Sequence, residues 1–340
     1  MRQVFYIVSV SISFIFAMVG NASADDQKTV YMAVWRGCEE ACLGFKDYME
    51  NRGTPVNIIV RDANRDKSKL LEFLAEAKRI EPDLVVTWGT SVSKAMIGTY
   101  KEYGSATKLG DIPVLFMLVA DPLGADIIAS KEESGRPTVT GVRNRISEKV
   151  QINAMREYFP AFRVGVLYSS AELNSVLNTE KLRELSLEMG FSLVEETYEL
   201  DAQGKPIPNQ FDRKMAALAA QDIDVVYVGS SSYNLANQDA FTEAAIRYGL
   251  PVASAYNSMV TNSSALISVS NKYYRVGLLA ANQANKILLD NAQPGSLPIA
   301  DLSGYSMAIN VSVARRMQLY PPIQLLRFAD YVNVKIKGIN

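Results

Sequence analysis

The chain of 340 residues contains no histidine. This absence removes the commonest general base, the commonest metal ligand and the usual partner of a catalytic serine or cysteine. Two cysteines without a histidine also make a poor zinc site. No G-x-G-x-x-G motif follows a strand, and no glycine loop ends in Gly-Lys-Ser/Thr. We therefore expect no metal and no cofactor, and most hydrolase mechanisms are excluded.

The sequence also lacks an excess of charge of either sign. The formal net charge is −1 and 48% of the residues are hydrophobic, which argues against a disordered chain and against a nucleic-acid-binding surface. Beyond the N-terminus, the longest apolar run covers residues 114–120. A run of that length is typical of a strand and is too short to cross a bilayer.

The N-terminus carries the features of a secretory signal peptide. Arg2 precedes an apolar stretch at residues 4–19, and Asn21-Ala-Ser-Ala24 provides small residues before Asp25. The stretch falls short of the roughly 20 residues that span a bilayer, although a retained anchor is the alternative. No cysteine lies at the cleavage site, so no lipoprotein anchor is indicated. We expect residues 1–24 to be removed and the mature protein to be periplasmic or otherwise extracytoplasmic.

The two cysteines, Cys38 and Cys42, lie four residues apart. In an oxidising compartment this favours a disulfide, with two buried free thiols or a metal or redox role as alternatives. Two such residues on a regular helix are near the upper limit of disulfide geometry. A bond between them therefore requires a distorted first helical turn.

Three buried-strand patterns run directly into glycine and small hydroxyl residues that open a helix. They are residues 83–91 (DLVVTWGTS), 163–170 (RVGVLYSS) and 224–232 (DVVYVGSSS). Open α/β sheets bind ligands beyond the carboxyl ends of their strands. The hydroxyl clusters predict a cleft for a small molecule, although simple helix capping would use the same residues. The candidate contacts are Thr90, Ser91, Ser169, Ser170, Ser230 and Ser231.

Strands and helices alternate along the rest of the chain, which predicts parallel sheets with right-handed crossovers. The 316 residues after the signal peptide suffice for two domains. The pattern restarts near residue 139. We therefore predict an α/β fold of two doubly wound lobes joined by a multi-strand hinge. Residues 25–142 and about 272–300 would form lobe 1, and residues 143–271 and about 301–340 would form lobe 2.

Other side chains are expected at the carboxyl ends of predicted strands. Trp35, Trp88 and Tyr256 would either form an aromatic wall or pack in the core. Arg36 would bind a ligand carboxylate or form an ion pair between the lobes. Asp121, stiffened by Pro122, would receive an ammonium or hydroxyl group, or simply cap a turn.

One motif leaves an enzymatic alternative open. Ser91 and Lys94 match the S-x-x-K tetrapeptide in which lysine activates serine, but the companion S-D-N and K-T-G motifs are absent. Ser91 as a helix cap with Lys94 in solvent is the competing interpretation.

Taken in order, five short segments resemble the family of ABC-transporter substrate-binding proteins that includes the tryptophan- and tyrosine-uptake binding proteins. These segments are Arg36-Gly37 with Gly44-Phe45, Gly89-Thr-Ser91, Asp121-Pro122, Val139-Thr-Gly-Val142 and Ile223-Asp-Val-Val-Tyr227. The resemblance covers residues 29–330. It implies a type I periplasmic-binding-protein fold with three hinge crossings that closes around a small ligand.

The resemblance also implies site residues and partners. Ligand contacts would come from Thr90 and Ser91, from Asp121, and from Ser169, Ser170 and Asn174. Gly89 and Pro122, which lie in the same segments, are further candidate contacts. Where many relatives carry an acidic residue after the late strand, this chain has Ser230-Ser-Ser232, so a partner for an amino-acid ammonium is missing there. The implied protein is a monomer that delivers a small organic ligand, such as an aromatic or other amino acid, to a membrane ABC permease. A sensor that reports to a membrane receptor, or a serine-lysine hydrolase, is the alternative.

Overall fold

The computed structural model describes residues 27–159, 162–302 and 304–334. The predicted signal peptide lies outside the described residues. In chain order the strands are β1 (Lys28–Val34), β2 (Val56–Asp62), β3 (Leu84–Trp88), β4 (Val114–Val119), β5 (Val139–Arg143), β6 (Arg163–Tyr168), β7 (Ser192–Thr197), β8 (Val225–Val228), β9 (Val252–Ser254), β10 (Ile267–Ser270), β11 (Ala300–Asp301), β12 (Ser306–Asn310) and β13 (Ala329–Val332).

Helices connect most of these strands. They are α1 (Glu40–Asn51), α2 (Lys69–Ile80), α3 (Thr90–Met96), α4 (Glu148–Arg156), α5 (Leu173–Met189), α6 (Phe211–Ala219), α7 (Ser232–Ala236), α8 (Gln238–Arg247), α9 (Asn257–Thr261), α10 (Tyr273–Leu288) and α11 (Val311–Met317). None of the helices in the described ranges combines the length and apolar character that a membrane crossing requires.

The strands form two sheets. The first has the order β11-β5-β4-β3-β1-β2 and the second the order β13-β12-β10-β9-β8-β6-β7. Every described strand pair is parallel except β10 with β12. Central strands such as β3 and β4 are buried along their whole length, because helices cover both faces of a parallel sheet. The predicted α/β fold with two lobes is confirmed; we call the layers around the first sheet lobe 1 and those around the second lobe 2.

Lobe 1 is completed by a helix from late in the chain. α10 packs against α1, and both contribute to the same hydrophobic cluster as β1 and β3. Glycines allow this close approach: a Cβ at Gly277 would lie 2.0 Å from the carbonyl oxygen of Ala41. Because α10 follows β10 of lobe 2, the chain must return to lobe 1 to make this contact.

Within the described ranges, the chain passes between the two sheets three times. It leaves lobe 1 after β5, returns between β10 and α10, and leaves again after β11, through residues 302–305, of which residue 303 is not described. Multiple crossings between two packed layers are a hinge geometry. They also bring the carboxyl ends of both sets of parallel strands to face each other.

The alternation of strand and helix patterns in the sequence predicts a helix from Ser91 to about Tyr103, and this prediction is wrong in its length. α3 ends at Met96, and Gly98 then adopts a positive φ of +68°. The buried guanidinium of Arg136 donates hydrogen bonds to the carbonyl oxygens of Ile97 (2.8 Å) and Ile127 (2.5 Å). The bond to Ile97 satisfies a carbonyl that the end of α3 leaves unpaired, and the bond to Ile127 ties the same guanidinium to the loop between β4 and β5.

Candidate ligand-binding cleft

A cleft of about 820 Å³ lies between the two lobes. Its walls come from the residues that follow β1, β3 and β4 in lobe 1 and β6, β8 and β9 in lobe 2. Parallel strands place their carboxyl ends at one edge of a sheet, so the loops that follow them converge. The cleft is therefore a direct consequence of the topology.

The turn between β3 and α3 forms one part of the lobe 1 wall. Gly89 adopts φ +92°, a conformation that favours glycine, and the chain passes there from Trp88 directly into Thr90 of the helix. Both side chains are buried, at 3% and 7% exposure. Within the described parts of the chain, Trp88 Nε1 and Thr90 Oγ1 have no hydrogen-bond partner. Two polar atoms are thus left for a ligand or water at this wall.

A β-bulge at the end of β4 forms another part of the same wall. The register between β4 and β5 shifts between Phe116 and Val119, and Leu118 adopts φ +54°. Leucine rarely occupies this left-handed region, which is costly and is typical of functional sites. The bulge brings Leu118 and Ala120 to the cleft. The sequence carries no signal that would have revealed it.

Arg36 extends from the end of β1 into the aromatic part of the cleft. Its guanidinium carbon lies 4.7 Å from the Trp88 ring centroid and 5.9 Å from that of Tyr256, both within range of cation–π attraction. Arg36 Nε donates a 2.8 Å hydrogen bond to Glu39, and its side chain is only 4% exposed. Burial lowers the pKa of Arg36, but the Glu39 carboxylate more than offsets this and the pKa is raised.

Arg36 also reaches the opposite lobe. Its Nη1 donates to Ser232 Oγ at 3.4 Å, and Ser232 begins α7 of lobe 2. The aromatic contact with Tyr256 likewise crosses the cleft. The sequence suggested that Arg36 binds a ligand carboxylate or forms an ion pair between the lobes. The ion pair that Arg36 forms, with Glu39, lies within lobe 1. Its contacts across the cleft are the hydrogen bond to Ser232 and the cation–π contact with Tyr256.

A disulfide lies directly after Arg36. Cys38 and Cys42 are bonded, with their Cα atoms 5.0 Å apart. α1 begins only at Glu40, so Cys38 lies in the bend before the helix and no distorted internal turn is needed. The disulfide ring encloses Glu39 and therefore restricts the segment that positions the partner of Arg36.

The lobe 2 wall is a hydrogen-bonded cluster around Glu172. The backbone N–H of Ser232 donates to Glu172 Oε1 at 3.0 Å, and the hydroxyl of Ser231 donates to Oε2 at 2.8 Å. Ser175 Oγ donates its one proton to the Ser230 carbonyl oxygen at 2.6 Å. Asn174 Nδ2 donates to the Ser230 carbonyl oxygen at 3.0 Å. The two loops after β6 and β8 are thereby held together as one surface.

Tyr256 closes the floor of the cleft. Its hydroxyl accepts a hydrogen bond from the backbone N–H of Ser231 at 3.0 Å, and its ring packs edge-on against Tyr273 of α10, with centroids 6.4 Å apart. Burial, its largest cause, raises the pKa of Tyr256 above its usual value. The hydroxyl is therefore a neutral hydrogen-bonding group at physiological pH.

The structure brings most of the predicted residues to this one cleft. Those that line it are Trp35, Arg36, Trp88, Gly89, Thr90, Ser91, Ser169, Asn174, Ser230 and Tyr256. They come from both lobes, as the three strand-to-hydroxyl patterns predict.

Four predicted residues do not line the cleft. Asp121 accepts the backbone N–H of Gly124 at 2.9 Å and so caps a turn. Pro122 is buried and Ser170 is exposed. Ser231 turns inward, where its Oγ accepts the N–H of Asn234 at 3.1 Å as the N-cap of α7.

Several lining residues were missed by the sequence prediction. Glu172, Tyr233 and Tyr273 face the cleft from lobe 2 and α10, and Arg65, Lys67 and Lys205 lie at its rim. Glu172 was identifiable in principle, since it lies three residues after Ser169. The aromatic residues begin or occupy helices, where core packing is the simpler expectation.

The hydrolase alternative requires Lys94 to contact Ser91. Among the hydrogen bonds of the described residues, none joins these two side chains. Lys94 Nζ donates to the carbonyl oxygen of Ala125 at 3.2 Å. Ser91 lines the cleft, so its placement suits ligand contact.

Comparison with known proteins identifies relatives over nearly the whole chain. The model of the ABC transporter substrate binding protein family matches residues 35–333. A curated Tyrosine-binding protein from Clostridioides difficile (strain R20291) is 22% identical over 286 residues, covering 83% of this chain and 77% of that protein.

Two solved structures share this fold and have nearly equal TM-scores to this chain. A conserved domain protein from Vibrio cholerae has a TM-score of 0.77 at 22% identity, covering 90% of this chain and 99% of the other. An ABC domain from Streptococcus pneumonia in complex with L-Trp has a TM-score of 0.76 at 20% identity, with the same coverage of 90% and 99%. The predicted type I periplasmic-binding-protein fold is confirmed.

Proposed function

The chain belongs to the ABC transporter substrate binding protein family, and from that premise we propose that it captures a small organic ligand between its lobes and delivers it to a membrane ABC permease. The ligand class that we favour is an aromatic or other amino acid. We further propose that the protein is exported through its N-terminal signal peptide, acts as a monomer and carries out no catalysis.

The observation that carries this proposal is the cleft itself. Its walls come from two lobes that are joined by three chain crossings. A ligand that contacts both walls favours the closed arrangement over the open one by the difference in its contacts. In this mechanism the ligand stabilises the closed arrangement of the lobes, and the permease recognises the surface of that closed form.

The chemistry of the cleft supports an aromatic amino acid. Trp35, Trp88 and Tyr256 provide aromatic surface, and Trp88 Nε1 and Thr90 Oγ1 are available for hydrogen bonding. A combination of apolar and aromatic surface with placed polar groups is typical of small-molecule sites. One relative bears the name of a tyrosine-binding protein, and one structural neighbour holds L-Trp.

The proposal is tested by thermal unfolding of the mature protein against amino acids, small peptides, nucleosides, sugars and polyamines. A ligand at a thousand times its Kd stabilises the folded state by about 4 kcal/mol, which raises the Tm by several degrees. The protein is first stripped of bound ligand by partial unfolding and dialysis. If no compound in the panel raises the Tm, the proposal of small-molecule capture is wrong.

A matched pair of variants locates the binding site. Thr90→Val removes a hydroxyl that has no partner within the described residues, so it should leave the ligand-free Tm unchanged and reduce the shift caused by the ligand. Ser170→Ala alters an exposed hydroxyl outside the cleft and should leave both quantities unchanged. Equal ligand-induced shifts in the two variants would place the site elsewhere.

A further inference from the structure

Glu172 presents a carboxylate to the cleft from lobe 2. It lies in the loop between β6 and α5, immediately before the first residue of α5, and it is half-buried and lines the cleft. The neighbouring segment of the wall, residues 230–232, carries only serines. Glu172 is therefore the negative charge of this part of the wall.

Two neutral groups orient this carboxylate. Oε1 accepts from the N–H of Ser232, and Oε2 accepts from the hydroxyl of Ser231. Two ionised oxygens offer about four acceptor positions. The serines therefore fix the position of both oxygens and leave acceptor capacity unused.

The charge of Glu172 is not compensated by a protein cation. Among the residues that the structure describes, no lysine or arginine forms an ion pair with it. Arg36, the buried cation of the same cleft, is paired with Glu39 at 2.8 Å. A partly buried carboxylate without a counterion is costly unless a cation arrives. The cation of a ligand would supply the charge that this carboxylate lacks.

The opposite wall has the complementary polarity. Trp88 Nε1 can only donate, and Thr90 Oγ1 can donate; neither has a partner within the described residues. The cations at the cleft rim, Arg65 and Lys67 of lobe 1 and Lys205 of lobe 2, are exposed, so solvent and salt screen them. Acceptor groups of a ligand are thus favoured at lobe 1 and a cationic group at lobe 2.

We propose that Glu172 binds the primary ammonium group of the ligand, so that the ligand spans the cleft with its ammonium on lobe 2 and its acceptor end on lobe 1. This inference rests on the proposed function and specifies its ligand class as an amine. The serines after β8 then have a second role, which is to hold the carboxylate that the β6–α5 loop supplies.

The test is calorimetric titration of the wild-type protein with three probes that share one ring. L-tryptophan carries an ammonium and a carboxylate, tryptamine only the ammonium, and indole-3-propionate only the carboxylate; L-tyrosine, tyramine and 3-(4-hydroxyphenyl)propionate form a second set. We expect removal of the ammonium to lower affinity about 10- to 100-fold, the range for a hydrogen bond to a charged group.

Glu172→Gln removes the charge and keeps the shape, since an amide can still accept from Ser232 and bond to the Ser231 hydroxyl. It should lower affinity for the amino acid and the amine by about 10- to 100-fold and change affinity for the deaminated acid by less than about 3-fold. Glu180→Gln, an exposed position on the same helix α5, serves as the matched control and should bind as the wild type does.

The outcomes separate the inference from the function on which it rests. Equal affinity of Glu172→Gln and wild type for the amino acid would overturn the inference, as would tight binding of deaminated acids. A Tm shift with sugars or nucleosides and none with any amine would also overturn it, while small-molecule capture would stand. No binding across the whole panel would overturn both.

Discussion

The guanidinium carbon of Arg36 lies 4.7 Å from the centroid of the Trp88 ring. The contact joins a residue that follows β1 to the last residue of β3, a neighbouring strand of the same sheet. From this position Arg36 reaches across the cleft to Ser232 and to the ring of Tyr256. A cation held on an aromatic face in one lobe thus contacts the other lobe without any ligand.

Replacing Arg36 with methionine should shift the ligand-free protein toward an open arrangement of the lobes. The change removes a charged hydrogen bond to Ser232 and a cation–π contact with Tyr256, both between the lobes. Together they contribute about 1.5–3 kcal/mol, a tenfold or larger shift in the equilibrium. Small-angle X-ray scattering should report a larger radius of gyration. Arg65→Met at the exposed rim is the control, and identical scattering from the two variants would show that Arg36 does not hold the lobes together.

Replacing Arg136 with methionine should destabilise lobe 1 by about 3 kcal/mol or more. The guanidinium is 3% exposed and donates to the carbonyl oxygens of Ile97 and Ile127, which would be left buried and unpaired. Urea denaturation followed by far-UV circular dichroism measures the loss.

The control for Arg136 is Arg143→Met. Arg143 Nη1 lies 3.7 Å from Asp301 Oδ2, and the two side chains are 30% and 45% exposed. This surface ion pair therefore contributes at most about 1 kcal/mol to the free energy of unfolding. Equal denaturation midpoints for the two variants would contradict a structural role for Arg136 at the end of α3.

Replacing Gly277 with alanine should lower the Tm by several degrees, even though alanine favours helix by about 1 kcal/mol. The new Cβ would lie 2.0 Å from the carbonyl oxygen of Ala41 and 2.8 Å from the backbone nitrogen of Phe45. Because both neighbours are backbone atoms, α1 and α10 must move apart, and overpacking of this kind typically costs about 1–3 kcal/mol.

Differential scanning calorimetry checks the Gly277 prediction. Arg275→Ala, at an exposed position of the same helix, should change stability by less than about 0.5 kcal/mol. A Gly277→Ala protein that is as stable as the wild type would show that the α1–α10 contact can relax without cost.

Most regular elements were predictable because their signals are local. The residues of β3 are all apolar or threonine and all buried. The sequence pattern predicts a helix from about Tyr273 to Leu289, and α10 covers Tyr273–Leu288. The end of α3 was not predictable, since it depends on Gly98 and on the distant Arg136. A contact between residues nearly forty positions apart leaves no periodic trace in the sequence.

The sequence by itself determined the fold class, the parallel sheets and the sheet edge at which a cleft must open. Each of these follows from consecutive residues: an apolar run indicates a strand buried on both faces, and the glycine and hydroxyl residues after it indicate the turn. Only the tertiary structure decided which side chains face the cleft. Asp121 caps a turn outside the cleft, and Leu118 lines the cleft because of a β-bulge in β4. Glu172 lies beside the serines that follow β8. These outcomes depend on packing and hydrogen bonds between segments far apart in the chain, which no local pattern records.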